Sequence, residues 1–153
     1  MTDASKAVGL RRTRRSLPIA LLRARETVMG PIREMLATSG VNEQKWRVLR
    51  VLQEQGPMDL TPLAEEASLL LPSLHRMIRP MQQEGLVVRS DAPNDRRKVV
   101  VAVTPKGEAL IQAHSGESAR VFARIEDRFG RDRLETLLDL LEDLQKLDLR
   151  SDR

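Results

Sequence analysis

Apolar residues recur every three or four positions along most of the chain, which is the spacing of one buried face of an α-helix. That spacing predicts a first helix over residues 16–38, with Gly30-Pro31 as a kink or a break. Asn42 has the chemistry of an N-cap for a second helix, which Gly56-Pro57 is expected to end. Thr61, followed by proline, predicts the start of a short third helix in the same way.

A fourth helix, predicted from Pro72 to Gly85, separates its apolar residues from its polar ones. The face expected to point inward carries Leu74, Met77, Ile78 and Met81. The face expected in solvent carries Ser73, His75, Arg76, Arg79, Gln82 and Gln83. Two short helices in succession, the second with a polar and cationic face, predict a helix-turn-helix.

Valine-rich alternation then replaces the helical spacing and predicts two strands, over residues 86–89 and 99–104, around the turn DAPNDRRK. A helix-turn-helix followed directly by a β-hairpin is a winged helix. Three consecutive cations, Arg96, Arg97 and Lys98, fall at the predicted tip of this hairpin. Side chains at a hairpin tip are exposed, so these charges are free to meet a partner outside the chain.

The remainder of the chain, over residues 105–149, is helical again and is interrupted at Gly130. Its last part carries Leu134, Leu137, Leu138, Leu141, Leu144 and Leu147, too many leucines for a lone surface helix. Because the first and last helices flank the winged helix, the economical arrangement is a helical module that pairs with a second copy. The contacts expected to hold the dimer are Leu17, Leu21, Leu137, Leu141 and Leu144.

The expected fold is therefore mainly α with a small β-hairpin wing. A winged helix-turn-helix over residues 42–107 is flanked by a helical dimerisation module over 16–41 and 108–149. Residues 1–15, which carry five cations and one anion, are expected to form a flexible basic arm that adds non-specific affinity for DNA.

Composition excludes several classes of function. With 153 residues the chain fits one domain of ordinary size, and without cysteine it has no disulfide, thiolate metal site or thiol redox chemistry. Two distant histidines and no glycine-rich phosphate loop give no catalytic or metal-binding set, so neither an enzyme nor a cofactor is expected. No signal peptide and no apolar run of about 20 residues is visible, so we expect a cytoplasmic protein with no membrane partner.

Charge is distributed unevenly, although the formal net charge of +4 is modest. Residues 73–106 contain seven cations against three anions. A localised basic surface of this kind favours a polyanionic partner such as nucleic acid.

The hairpin contains Asp95-Arg96-Arg97, followed after five residues by Val103-Thr104-Pro105-Lys106-Gly107, and is preceded by PSLHRMIRPMQQEGLV. In these motifs the chain resembles the MarR family of transcriptional regulators, from about Leu17 to Leu147. The segments ALLRARE, NEQKWRVLRVL, LLPSLHRM and NDRRKVVVAVTPKG are similar to the subfamily that regulates homoprotocatechuate degradation. This resemblance implies a homodimer that binds an imperfect palindrome in double-stranded DNA. It also implies repression of an aromatic-compound catabolic operon until a small aromatic acid or phenol lowers the affinity for DNA.

The resemblance also assigns roles. Ser73, His75, Arg76 and Arg79 would face the major groove, and Arg97, beside Arg96 and Lys98, would enter the minor groove. Asp95 would hold the wing arginine or cap the turn. The alternatives are a solvated turn for the wing cations, a helix-surface salt bridge to Glu84 or a neighbour for Arg76, and an ordinary surface position for His75. Pro80 departs from the expected pattern and should kink or shorten the helix, at a cost of roughly 3 kcal/mol.

An effector pocket should be mostly apolar, with a cation for a carboxylate. The candidate residues are Arg15, Arg23, Trp46, Arg50, Met29 and His114. Trp46 is more often a core residue, and His114 is more often a plain surface residue of a helix. Arg23 and Arg50 are retained because they lie beside apolar faces, where an unpaired charge would be costly. The sequence leaves open a constitutive DNA-binding or architectural dimer without an effector, and an activator. If a small molecule changes the affinity for the operator, the protein is a ligand-controlled regulator and not a constitutive DNA-binding dimer.

Overall fold

The computed structural model describes residues 9–92 and 95–151, with only the backbone described at residues 92 and 95–97. Its helices are α1 (Leu17–Ala37), α2 (Glu43–Gln55), α3 (Leu60–Glu66), α4 (Leu71–Gln83), α5 (Pro105–Phe129) and α6 (Arg131–Gln145). A 3-10 turn at Thr13–Arg15 precedes α1. Its strands are β1 (Met58–Asp59), β2 (Val87–Ala92) and β3 (Asp95–Val103), which form an antiparallel sheet in the order β1-β3-β2. The predicted fold, mainly α with a β wing, is confirmed.

The hydrophobic core lies in the winged-helix part and extends to the second half of α1 and along one face of α5. Its fully buried side chains include Met35, Leu36, Leu49, Leu52, Leu63, Leu74, Ile78, Met81, Val87, Val101 and Ile111. These positions repeat every three or four residues on α2 and α4, as the sequence pattern predicted. Because α3 and α4 both bury one face in this core, the opposite face of α4 is left in solvent.

A break in the first helix at Gly30-Pro31, one of the two predicted alternatives, was wrong, and so was the predicted cap at Thr61. Helix α1 continues through Pro31 without a break, because Ile32, Met35 and Leu36 immediately beyond it are buried in the core and hold the helix together. Helix α3 begins after Asp59, which takes the N-cap position expected for Thr61. The proline that follows Thr61 occupies the first turn, where a backbone N–H has no partner within the helix.

Pro80 was predicted to kink or shorten the fourth helix, and the structure shows that it does not shorten it. Helix α4 extends to Gln83, and the amide of Glu84 donates to the Pro80 carbonyl at 2.9 Å, which closes the last turn. Ile78 and Met81, on either side of the proline, are almost completely buried. Their packing offsets the backbone hydrogen bond that proline cannot make to the Arg76 carbonyl.

The wing is longer than the sequence pattern predicted. Strands β2 and β3 continue almost to their connection, so Arg96, Arg97 and Lys98 belong to β3 and not to the turn. The two-residue strand β1 pairs Met58 with Val101 and joins the helix-turn-helix to the wing. A two-residue strand is too short to show an alternating pattern, which is why it was not predicted.

Candidate nucleic-acid interface

Helix α4 divides its side chains by polarity. Leu74, Ile78 and Met81 are buried, and His75, Arg76 and Arg79 are exposed on the other side, with Ser73 half-buried. The alternative in which Arg76 pairs with Glu84 is wrong, because the Glu84 carboxylate accepts a hydrogen bond from Lys45 Nζ at 2.7 Å. Arg76 makes only a 3.4 Å contact from Nη2 to Ser73 Oγ among the described residues. Its guanidinium is therefore available to an external acceptor.

The wing presents cations beside this helix. Lys98 is exposed on β3, and Arg89 is exposed on β2. The side chains of Asp95, Arg96 and Arg97 lie outside the described residues, so their predicted roles in the wing stay predictions.

A cleft of about 510 Å³ lies between the start of α3, α4 and the wing. His75, Arg89 and Lys98 line it together with a single acid, Asp59. An excess of positive charge in a concave surface attracts anions such as phosphate. Arg89 was not among the predicted site residues, because one arginine in a short strand carries no signal until the sheet and α4 are placed together.

Trp46 and His114, both candidates for an effector pocket, are buried in contact with one another. Their ring centroids are 5.9 Å apart in an edge-to-face arrangement. His114 Nε2 lies 2.9 Å from Ser39 Oγ, and only 7% of the residue is exposed. The prediction of a plain surface position for His114 was therefore wrong. The helical spacing of His114 with the buried Ile111 and Val121 was the signal that could have placed it inside.

The three arginine candidates for the effector pocket are in a different environment. Arg15, Arg23 and Arg50 are all exposed in the single chain, and Arg50 donates to Gln53 on its own helix. Water therefore solvates their charges, so the cost of burying an unpaired charge does not arise in one copy of the chain. Met29 is half-buried against the core.

A network of four charged residues joins α1 to the first turn of α2, and sequence analysis did not predict it. Arg25 Nη2 donates to Glu43 Oε2 at 2.6 Å, and Arg33 Nη2 lies 3.4 Å from Glu43 Oε1. Arg33 also donates to both carboxylate oxygens of Glu26, at 2.6 and 2.8 Å. The partners are separated by up to 18 positions in sequence, so only the packing of α1 on α2 brings them together.

The network shifts the pKa values of Glu43, Glu26 and Arg33. Burial raises the pKa of Glu43, but hydrogen bonds and charges from Arg25 and Arg33 outweigh it, so the net pKa is lowered. The hydrogen bond from Arg33 likewise lowers the pKa of Glu26, and the same bond raises the pKa of Arg33. Glu26, Glu43 and Arg33 therefore stay charged at neutral pH.

Helices α1 and α6 leave large apolar side chains in solvent. Leu17, Leu21 and Leu137 are exposed, whereas Leu141 and Leu144 are half-buried. Within the described part of the chain, no residue of α6 is buried. In the single chain, this leucine-rich helix therefore leaves apolar side chains exposed to solvent.

Other classes of site are missing from residues 9–92 and 95–151. No helix there has the length and apolarity to cross a membrane, and no three His, Cys, Asp or Glu side chains lie close enough to share a metal ion.

A helix-turn-helix with an exposed cationic second helix and a β wing defines a winged-helix DNA-binding protein. The MarR family model matches residues 41–99. This range runs from just before α2 into the first half of β3. The chain is 37% identical over 128 residues to the homoprotocatechuate degradative operon repressor of Escherichia coli, spanning 84% of this chain and 86% of that protein. It is 36% identical over 133 residues to the transcriptional regulator FarR of Neisseria gonorrhoeae, spanning 87% and 91%.

The chain is also similar to solved structures of transcriptional regulators. NadR in complex with 4-hydroxyphenylacetate is 34% identical with a TM-score of 0.80, over 92% of this chain and all of that one. The repressor CouR bound to a 23-mer DNA duplex is 26% identical with a TM-score of 0.78, over 91% and 100%. The chain belongs to the MarR family, and its relatives are transcriptional regulators and not enzymes.

Proposed function

We propose that the protein is a homodimeric repressor of an aromatic-compound catabolic operon, released from an imperfect palindrome by a small phenol or aromatic acid. One relative is a repressor of homoprotocatechuate degradation, and one neighbouring structure holds 4-hydroxyphenylacetate. The observation that carries the DNA-binding part is the exposed cationic face of α4 beside the cations of the wing.

Each DNA-binding side chain has an assigned contact in this proposal. In a two-fold dimer the two α4 helices enter successive major grooves about 34 Å apart. Arg76 and Arg79, with Ser73 and His75 beside them, face the bases, and arginine suits the O6 and N7 acceptors of guanine. Arg97, with Arg96 next to it and Asp95 holding the turn, enters the minor groove. Lys98 and Arg89, on the wall of the cleft, contact backbone phosphates.

The dimer forms through the leucine-rich surface of α1 and α6. Leu17 and Leu21 on α1 and Leu137 on α6 are exposed, and Leu141 and Leu144 continue the same helix. In this proposal residues 16–41 and 108–149 form the dimerisation module, residues 42–107 the DNA-binding domain, and residues 1–15 a basic arm. Covering exposed leucines removes apolar surface from water, which drives association.

In this proposal the effector site lies beside the first half of α2, around Trp46 and Arg50. Trp46 supplies an aromatic ring, and Arg50 follows it by four positions, one helical turn further along. Arg15 and Arg23 are exposed on the first helical segment, so a second copy packed on α1 would enclose them. A cation enclosed in this way pairs with the carboxylate of an aromatic acid.

The test starts from a duplex that the wild-type protein selects from a random-sequence pool. Fluorescence anisotropy at fixed salt then gives its affinity with and without 4-hydroxyphenylacetate and benzoate. The neutral compound 4-hydroxyphenylacetamide is the matched control for the carboxylate. We expect one of the acids to release the DNA and the amide to be much weaker. Tight binding that no aromatic compound changes would favour the constitutive DNA-binding dimer instead.

A further inference from the structure

The short segment from Glu84 to Leu86 links α4 to β2. It therefore connects the two elements proposed to contact DNA, the helix α4 and the wing. Three successive backbone carbonyls in it accept hydrogen bonds from residues at the start of α5. Lys106 Nζ donates to the Glu84 carbonyl at 2.8 Å, and Thr104 Oγ1 donates to the Gly85 carbonyl. The Thr104 amide donates to the Leu86 carbonyl at 3.1 Å.

The two segments also pack too closely for any side chain at Gly107. A Cβ atom built on this buried glycine would collide with the Leu86 carbonyl oxygen and would lie 2.7 Å from Val103 Cγ2. Thr104 meanwhile accepts a hydrogen bond from the Gly107 amide at 3.1 Å and so caps α5. The start of α5 is therefore fixed to the link between α4 and the wing by both packing and hydrogen bonds.

The charged side chain of Lys106 makes its contact within the protein, at the end of α4. Its side chain runs past Gly85, whose added Cβ would lie 3.5 Å from Lys106 Cδ, and its ammonium reaches the C-terminal end of α4. Helix C-termini carry partial negative charge, so a cation there is stabilising. Lys45 on α2 holds the side chain of the same residue, Glu84, at 2.7 Å. Two lysines from different helices thus fix the end of α4.

We propose that Thr104, Lys106 and Gly107 are positioning residues that hold α4 and the wing in register on α5. They set the affinity for DNA through the placement of these two elements and do not touch DNA themselves. Helix α5 leads on to α6 and its exposed leucines, so the same junction fixes how far apart two α4 helices stand in a dimer. This inference rests on the DNA-binding function proposed above.

Lys106→Met tests the proposal, because its side chain is exposed and its loss removes one donor without opening the core. Affinity for the selected duplex is measured by anisotropy at several salt concentrations, together with the melting temperature of the full-length protein. We expect the affinity to fall roughly three- to tenfold. The slope of log affinity against log salt should stay unchanged, since no phosphate contact is lost. Lys106→Arg keeps a donor and should restore the affinity.

Lys146→Met is the matched control, since it removes the same charge just beyond α6 and should change neither affinity nor slope. A slope that falls by about one in Lys106→Met would show a direct phosphate contact and overturn the proposal. Unchanged affinity, or a loss that Lys106→Arg does not restore, would also overturn it. If the wild-type protein selects no duplex at all, the proposed function fails first, and this inference fails with it.

Discussion

Glu43→Gln tests whether the network between α1 and α2 stabilises the protein. The Glu43 side chain is only 14% exposed and meets two guanidinium groups, Arg25 at 2.6 Å and Arg33 at 3.4 Å. Glutamine has nearly the same shape, but it removes the negative charge and replaces one of the two accepting oxygens by an NH2 donor. Hydrogen bonds to charged groups contribute about 1 kcal/mol more than neutral ones. Both arginine side chains are about 40% exposed, so solvent screening limits the expected loss to about 1 kcal/mol.

Thermal unfolding at fixed protein concentration measures this loss, which corresponds to a melting temperature lower by about 2–4 °C for a chain of this size. The pH dependence has a definite sign. The pKa of Glu43 is lowered from its ordinary value of 4.5, so its stabilisation is complete above that pH and is lost as pH falls through the folded-state pKa. The difference between wild type and variant should therefore be full at pH 7 and shrink below about pH 4.5.

Glu34→Gln is the control, because Glu34 is exposed on α1 and forms no ion pair among the residues described. Two results would contradict the reasoning. One is equal melting temperatures of wild type and Glu43→Gln at pH 7. The other is a difference that persists undiminished in acid, which would show that the Glu43 charge is not its source.

Three further predictions concern DNA, assembly and the core. Arg97→Ala should weaken binding to all sequences and lower the salt slope by about one; unchanged affinity would remove Arg97 from the wing contact. Leu141→Asp should give monomer or insoluble protein in light scattering, and a stable DNA-binding dimer would show that the interface is misplaced. His114→Ala should lower the free energy of unfolding by about 2 kcal/mol, through loss of the Ser39 bond and the Trp46 contact. His75→Ala is its control and should change stability by less than about 0.5 kcal/mol, and equal urea midpoints for both would contradict this.

Local patterns predicted the helix-turn-helix because its determinants are close together in sequence. Leu74, Ile78 and Met81 follow the helical spacing, and this spacing alone decides which face of α4 meets solvent. The Asn42 cap was also predicted and is observed, with the Lys45 amide donating to its side chain at 2.9 Å. Both features depend on residues within one or two helical turns.

Features that depend on packing between distant segments were missed. The spacing within α5 places His114 on the buried face, but it does not identify Trp46 and Ser39, the distant residues that His114 contacts. The Arg25–Glu43 pair has the same origin. Thr61 was a plausible cap, but Asp59 precedes it and starts the helix two residues earlier, once β1 has paired with β3. Where two nearby residues could each begin a helix, tertiary contacts decide which of them does.

Footprinting of the selected duplex by hydroxyl radicals tests the central claim, that two copies of the chain read DNA through α4 and the wing. We expect two protected half-sites related by two-fold symmetry, with centres about 10 base pairs apart, and flanking protection where the wings reach the minor groove. Protection of a single half-site, or an unsymmetrical patch without flanking contacts, would contradict it.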